Sequence, residues 1–213
     1  LAATDQATDT PTNNFCTVNP LDNYFAANTL AEGNLKVTTN ASNYSYTRGT
    51  FGLSSGKWYF EQKCVTANNN SFGVVDDATT STTNQLEARA NGWSYYAGGH
   101  VYNNGSTVIS PGTYTDDDIL GCYLDLDNNK IYFAKNGTIL NSGTGHSLTA
   151  TSSLSSGFYF PAFGDGGTGS AVMEINFGNP TWSLSSAVAD ANGYGSFEYD
   201  PSDGGSSSFD SAA

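Results

Sequence analysis

A chain of 213 residues with seven Lys and Arg against twenty Asp and Glu carries a formal charge of −13. Such a surface repels polyanions, which disfavours nucleic acid and anionic membrane as partners. No apolar run approaches the ~20 residues of a membrane-spanning helix, so no membrane insertion is expected.

Thirteen Tyr, twelve Phe and three Trp stand among abundant Gly, Ser, Thr and Asn, with only 13% charged residues. Aromatic and β-branched residues between small polar turns read as an all-β protein. Three cysteines, Cys16, Cys64 and Cys122, are too few for a disulfide framework. Cys64 and Cys122 fall in apolar-periodic strands and are expected to be buried thiols. A bridge between them would require neighbouring strands.

Residues 1–32 read as an extended polar arm. Breakers such as Pro11 and Asn19-Pro20 separate the apolar anchors Phe15, Val18, Leu21, Tyr24 and Phe25. Strand-like alternation begins near residue 33. In Gly56–Val65, Trp58, Phe60 and Cys64 should face one way, and Tyr59, Glu61 and Lys63 the other. Phe72-Gly73-Val74 is a short apolar strand, and Leu86–Ala90 is the one stretch that suits a helical turn. Trp93–Tyr96 and His100–Tyr102 flank Gly98-Gly99. Residues 118–140 form the clearest unit, two strands about Asp127–Lys130 and a third after Asn136-Gly137, a dipeptide that tolerates positive φ at both positions. Farther on, Met173, Ile175 and Phe177 are placed inward. Residues 181–213 thin into a Gly/Ser/Asp-rich arm whose last anchors are Phe197 and Tyr199, with 201–213 reading as disordered. Many short antiparallel strands with Gly and Asn turns fit a β-sandwich.

These pieces stand in the order of a known family. Gly56-Lys57-Trp58-Tyr59-Phe60-Glu61, Phe72-Gly73-Val74, Gly92-Trp93-Ser94-Tyr95, the hairpin from Asp118-Ile119-Leu120-Gly121-Cys122 to Phe133-Ala134-Lys135-Asn136-Gly137, Tyr159-Phe160-Pro161-Ala162-Phe163 and Ile175-Asn176-Phe177-Gly178 resemble the motifs of the SPRY domain. The resemblance covers roughly 33–180 and implies an antiparallel, concanavalin-like β-sandwich (jelly roll) with irregular arms at both ends. It also implies Trp93 and Tyr95 in the core. The flanks, Asp9–Phe15 and Asn192–Tyr199, look like segments beside SPRY-like domains in bacteriophage tail-fibre-type proteins. That likeness implies a piece of a longer polypeptide, consistent with Leu1 in place of Met. It also implies a virion-surface or extracellular location and a homo-oligomer.

Catalytic signals are weak. His100 and His146 lack a nucleophile motif, and His146 reads as an exposed loop residue. Glycoside hydrolysis needs paired carboxylates, whereas Glu61, Glu87, Glu174 and Glu198 stand isolated. A non-enzymatic protein is expected. No Cys or His pair has zinc-ligand spacing. Asp125-x-Asp127-x-Asn129 begins like a calcium loop, but Lys130 and Asn136 occupy the positions that need Gly and Glu. Calcium from Asp116–Asp118 and Asp76-Asp77 stays open beside the simpler reading of solvated turns. No other cofactor is indicated.

For binding, Tyr96, His100, Tyr102, Asn103 and Asn104 combine aromatic faces with amides, which suits a sugar ring or a protein surface. The leading expectation is attachment of a fibre to a host-surface glycan or protein through loops at the sandwich end. One alternative is a decoration domain whose arms hold neighbouring virion or fibre subunits, marked by exposed Phe15, Tyr24, Phe197 and Tyr199. Another is a SPRY peptide-binding module of a cellular protein, marked by a loop pocket for a basic peptide.

Overall fold

A computed structural model describes residues 14–23, 27–76 and 85–202. In chain order the strands are β1 (Val18–Asn23), β2 (Thr29–Ala31), β3 (Lys36–Thr38), β4 (Ser45–Gly49), β5 (Lys57–Thr66), β6 (Asn70–Val75), β7 (Trp93–Tyr96) and β8 (His100–Asn103). They continue as β9 (Ser106–Ile109), β10 (Ile119–Asp125), β11 (Lys130–Lys135), β12 (Thr138–Ile139), β13 (His146–Ser147), β14 (Phe160–Asp165) and β15 (Val172–Asn176). Leu86–Ala88 forms a 3₁₀ turn, where the sequence suits a helical turn, and two more 3₁₀ turns lie at Asn141–Gly143 and Thr151–Ser153.

Among the described residues every strand pairing is antiparallel. One sheet runs β1-β4-β14-β6-β7-β8-β9 and the other β12-β11-β10-β5-β15-β3-β2, with β13 added beside β11. The hairpin expected over 118–135 is present in full register, from Leu120 opposite Lys135 to Asp125 opposite Lys130. Asn136 and Gly137 turn the chain into β12 with φ of 49° and 76°, the left-handed region that this dipeptide tolerates.

Alternation builds the core between the sheets. Phe60 and Cys64 on β5 and Leu120, Cys122 and Leu124 on β10 point inward from one sheet. Phe72, Val74, Tyr95 and Phe163 meet them from the other. Phe60 contacts Phe72 and Phe163 edge-on at 5.3 and 5.9 Å, arrangements favoured by ring quadrupoles. Met173 and Ile175 are buried as expected, and Trp93 and Tyr95 belong to the core. All three cysteines are buried and free. Although β5 and β10 are neighbours, Cys122 lies opposite Phe60, away from Cys64.

One reading needs correction. His146 is buried, because β13 carries it back to β11 and its ring stacks on Trp93 at 5.3 Å. Burial and the nearby Lys130 lower its pKa below the ordinary imidazole value. Strand β5 is buried on both faces, since Tyr59 and Glu61 lie beneath the segment 196–200. Phe197 is wholly buried against Tyr59, Tyr123 and Ala134 of the same chain. The Glu61 carboxylate accepts hydrogen bonds from the Tyr59 hydroxyl (2.8 Å), the Asn176 amide (2.9 Å) and the backbone N–H groups of Glu198 (3.0 Å) and Tyr199 (2.9 Å). Burial raises its pKa, while those four donors pull it back down.

Candidate functional site

Of the residues singled out in the sequence, Tyr96, His100 and Tyr102 come together on the outer face of the first sheet, whereas Asn103 lies opposite Trp93 on the other face and Asn104 in the following turn. Tyr96 lies opposite His100 across β7 and β8, so their side chains and that of Tyr102 share a face. Tyr102 touches Tyr96 edge-on at 6.2 Å and His100 at 5.8 Å. Several polar groups of the set already serve the fold. The Tyr96 hydroxyl donates to Asn69 Oδ1 (2.7 Å), and the Asn103 amide donates to the Gly92 carbonyl (2.9 Å). His100 Nδ1 lies 2.9 Å from Ser110 Oγ. Asn104 and Gly105, with φ of 50° and 71°, make the tight turn between β8 and β9, so Asn104 sits where the backbone requires a left-handed residue.

The same face carries a buried carboxyl that the sequence shows only as an isolated acid. The 3₁₀ turn Leu86–Ala88 lies across β6, β7, β8 and β14. Leu86 packs on Val75 and Ala162, and Glu87 is 3% exposed. One Glu87 oxygen bonds the Ser71 hydroxyl, whereas Oε2 is buried without a hydrogen-bond partner. Burial, with a smaller contribution from the Asp165 charge, pushes its pKa up to about 7.

A second surface lies at one end of the sandwich. Asn14, Phe15 and Cys16, the loop residues Phe51 and Leu53, the start of β5 (Trp58, Tyr59, Phe60), Pro161 of β14, Phe177 and Tyr194 enclose a cavity of about 60 Å³. Each wall is fixed by the backbone. Leu53 and Tyr159 exchange two N–H···O bonds of 2.8 and 2.9 Å, and the Thr50 N–H donates to Thr17 O (2.8 Å). The Trp58 indole N–H donates to Ser55 O (2.8 Å), so its polar edge is satisfied. Asp190 holds the opposite rim, accepting the Tyr194 N–H at 2.7 Å and the Asn192 N–H at 3.0 Å. Phe51 and Tyr194, 38% and 50% exposed, leave aromatic surface at the mouth. An apolar cleft with exposed aromatics at its rim has the character of a binding site. The lining contains no carboxylate or imidazole for acid–base work. Burial raises the Cys16 pKa, the opposite of an activated thiolate.

The aspartates open to calcium have other employment. Asp116 accepts the Ala67 N–H (2.8 Å), Asp118 the Thr115 N–H (2.8 Å) and the Asn136 amide (2.6 Å), and Asp76 the Asn91 amide (2.8 Å). Asp125 accepts the Asn128 N–H at 3.0 Å within its hairpin turn. Asp77 and Tyr24 lie outside the described residues. Among the described residues no three His, Cys, Asp or Glu side chains converge on one point.

Sequence reasoning missed the cleft because its walls come from positions 14–16, 51–60, 161, 177 and 194. The only local signal is aromatic residues beside glycines, Phe51-Gly52 and Gly193-Tyr194-Gly195.

Comparison with known proteins follows the same outline. The family model for the SPRY domain matches residues 57–180. The SPRY domain of human HERC1 superposes with a TM-score of 0.58 at 19% identity, over 74% of this chain and 96% of that one. A second human SPRY domain gives 0.52 at 20% identity, over 66% and 90%. Stonustoxin gives 0.52 at 19% identity, over 76% of this chain and 27% of the toxin chain. In sequence, the chain is 25% identical over 150 residues to the probable ATP-dependent RNA helicase ddx1 of Dictyostelium discoideum, covering 70% of this chain and 18% of the helicase. It is 31% identical over 90 residues to ATP-dependent RNA helicase DDX1 of Xenopus laevis, covering 42% and 12%. The chain therefore spans less than a fifth of the length of either helicase.

Proposed function

Because this chain belongs to the SPRY domain family, whose members are in general non-catalytic binding modules, we propose that it binds a protein partner by seating one of the partner's side chains in the aromatic cleft between the β4–β5 loop and the Asp190–Tyr194 loop. The observation that carries this reading is the cavity itself, with Phe51 and Tyr194 exposed at its mouth on a rigid sandwich. Exposed Phe15, Tyr24, Phe197 and Tyr199 would favour the decoration-domain alternative, and of these Phe197 is buried in its own chain. The likeness of the flanks to phage fibre segments favours a host-surface protein as the partner, while a cellular peptide would use the same cleft.

A second reading has its own support. The rings of Tyr96, His100 and Tyr102 on one sheet face offer a platform for a glycan. Binding of the 213-residue chain to peptide and glycan arrays, compared among wild type, Phe51→Ala, Tyr194→Ala and Tyr102→Ala, separates the two. Peptide binding lost with Phe51→Ala or Tyr194→Ala, and kept with Tyr102→Ala, supports the cleft. The reverse pattern, on glycans, supports the platform.

A further inference from the structure

Resting on the cleft reading, we propose that the group seated there is an alkylammonium, the head of a lysine or methylated lysine side chain on a basic segment of the partner. Four observations converge on this chemistry. Aromatic rings dominate the wall, with Phe15, Phe51, Trp58 and Tyr194 joined by core residues behind them. A ring face attracts a cation through its quadrupole. The Trp58 N–H is already bonded to Ser55 O, so that ring needs no acceptor from a ligand.

The charges around the cleft point the same way. The three cations nearest it in sequence are already countered: Arg48 by Asp22, Lys57 by Asp125 at 3.8 Å and Lys63 by Asp117 at 3.3 Å. Asp127, exposed, accepts the Gly56 N–H at 2.8 Å, which sets a carboxylate two residues from Trp58. The chain as a whole carries −13, which draws cationic segments toward it and repels acidic ones. Size supplies the last constraint. A cavity of about 60 Å³ has room for about four waters, which suits one compact head on a flexible stem.

The test uses two matched probes on the isotope-labelled 213-residue chain, followed by NMR. One is Nα-acetyl-Nε-trimethyllysine amide. The other is its uncharged isostere, with carbon in place of the quaternary nitrogen. The charged probe should shift the Trp58 indole resonance and bind about fivefold or more tightly than the isostere. Its affinity should fall as salt is raised. Phe51→Ala and Tyr194→Ala, both at half-exposed positions where the fold tolerates truncation, should each weaken it severalfold. Equal binding of both probes in the cleft would overturn the cation while leaving the cleft reading intact. No shift of cleft resonances with either probe at high millimolar concentration would overturn both.

Discussion

Replacing Glu87 by Gln should stabilise the protein at neutral and alkaline pH and leave it unchanged in acid. The Glu87 carboxyl is buried under its own 3₁₀ turn, with Ser71 on one oxygen and nothing on the other. Its folded pKa is about 7, against 4.5 for a free carboxyl. Below about pH 4.5 the group is protonated both folded and unfolded and contributes no difference. Between there and about pH 7 the unfolded chain releases the proton while the folded chain retains it. Stability then falls by about 1.4 kcal/mol per pH unit. Over the whole interval the loss reaches about 3 kcal/mol and then levels off. Glutamine keeps the shape and the bond to Ser71 but cannot ionise, so the variant escapes the loss. Urea unfolding followed by tryptophan fluorescence, at about pH 4, 6 and 8, measures the difference directly. A gap between variant and wild type that is the same at all three values would refute the reasoning, as would one that widens toward acid. Asp165, buried and pushed up to about 6, should impose the same downward slope on both proteins.

Three further outcomes follow from the packing. Glu61→Ala strands four donors, the Tyr59 hydroxyl, the Asn176 amide and the N–H groups of Glu198 and Tyr199. At roughly 1 kcal/mol or more for each donor left unsatisfied, it should cost about 4 kcal/mol, and limited proteolysis should cut first near 190–200. Phe197→Ala empties the space against Tyr59 and Tyr123 and should cost about 3–5 kcal/mol by chemical denaturation; a loss under 1 kcal/mol would mean that the segment is not held as described. Burial raises the pKa of all three cysteines. A thiol reagent should therefore leave them untouched in the native protein and label all three in denaturant, with no change in stability on adding a reductant.

Much of the sandwich was legible because strand alternation is local. The hairpin 118–135 declares itself through its apolar run and its Asp-Asn turn, and the Asn136-Gly137 dipeptide marks the next reversal. Met173 and Ile175 go inward by simple parity, and the family motifs placed Trp93 and Tyr95 in the core. Parity says only which residues share a face. It does not say what lies over that face. Tyr59 and Glu61 read as the face of β5 opposite Phe60 and Cys64, and they are. They are buried because a segment more than 130 residues away in the sequence returns to cover them. The same limit hid His146, whose burial depends on Trp93 across the fold, and Glu87, whose pKa depends on what packs over it. The cleft is the extreme case. Its Phe51, Trp58 and Tyr194 are ordinary aromatics wherever they stand in the sequence. They become a site only when loops far apart in the chain close around one cavity, and that placement is set by long-range packing that no local pattern records.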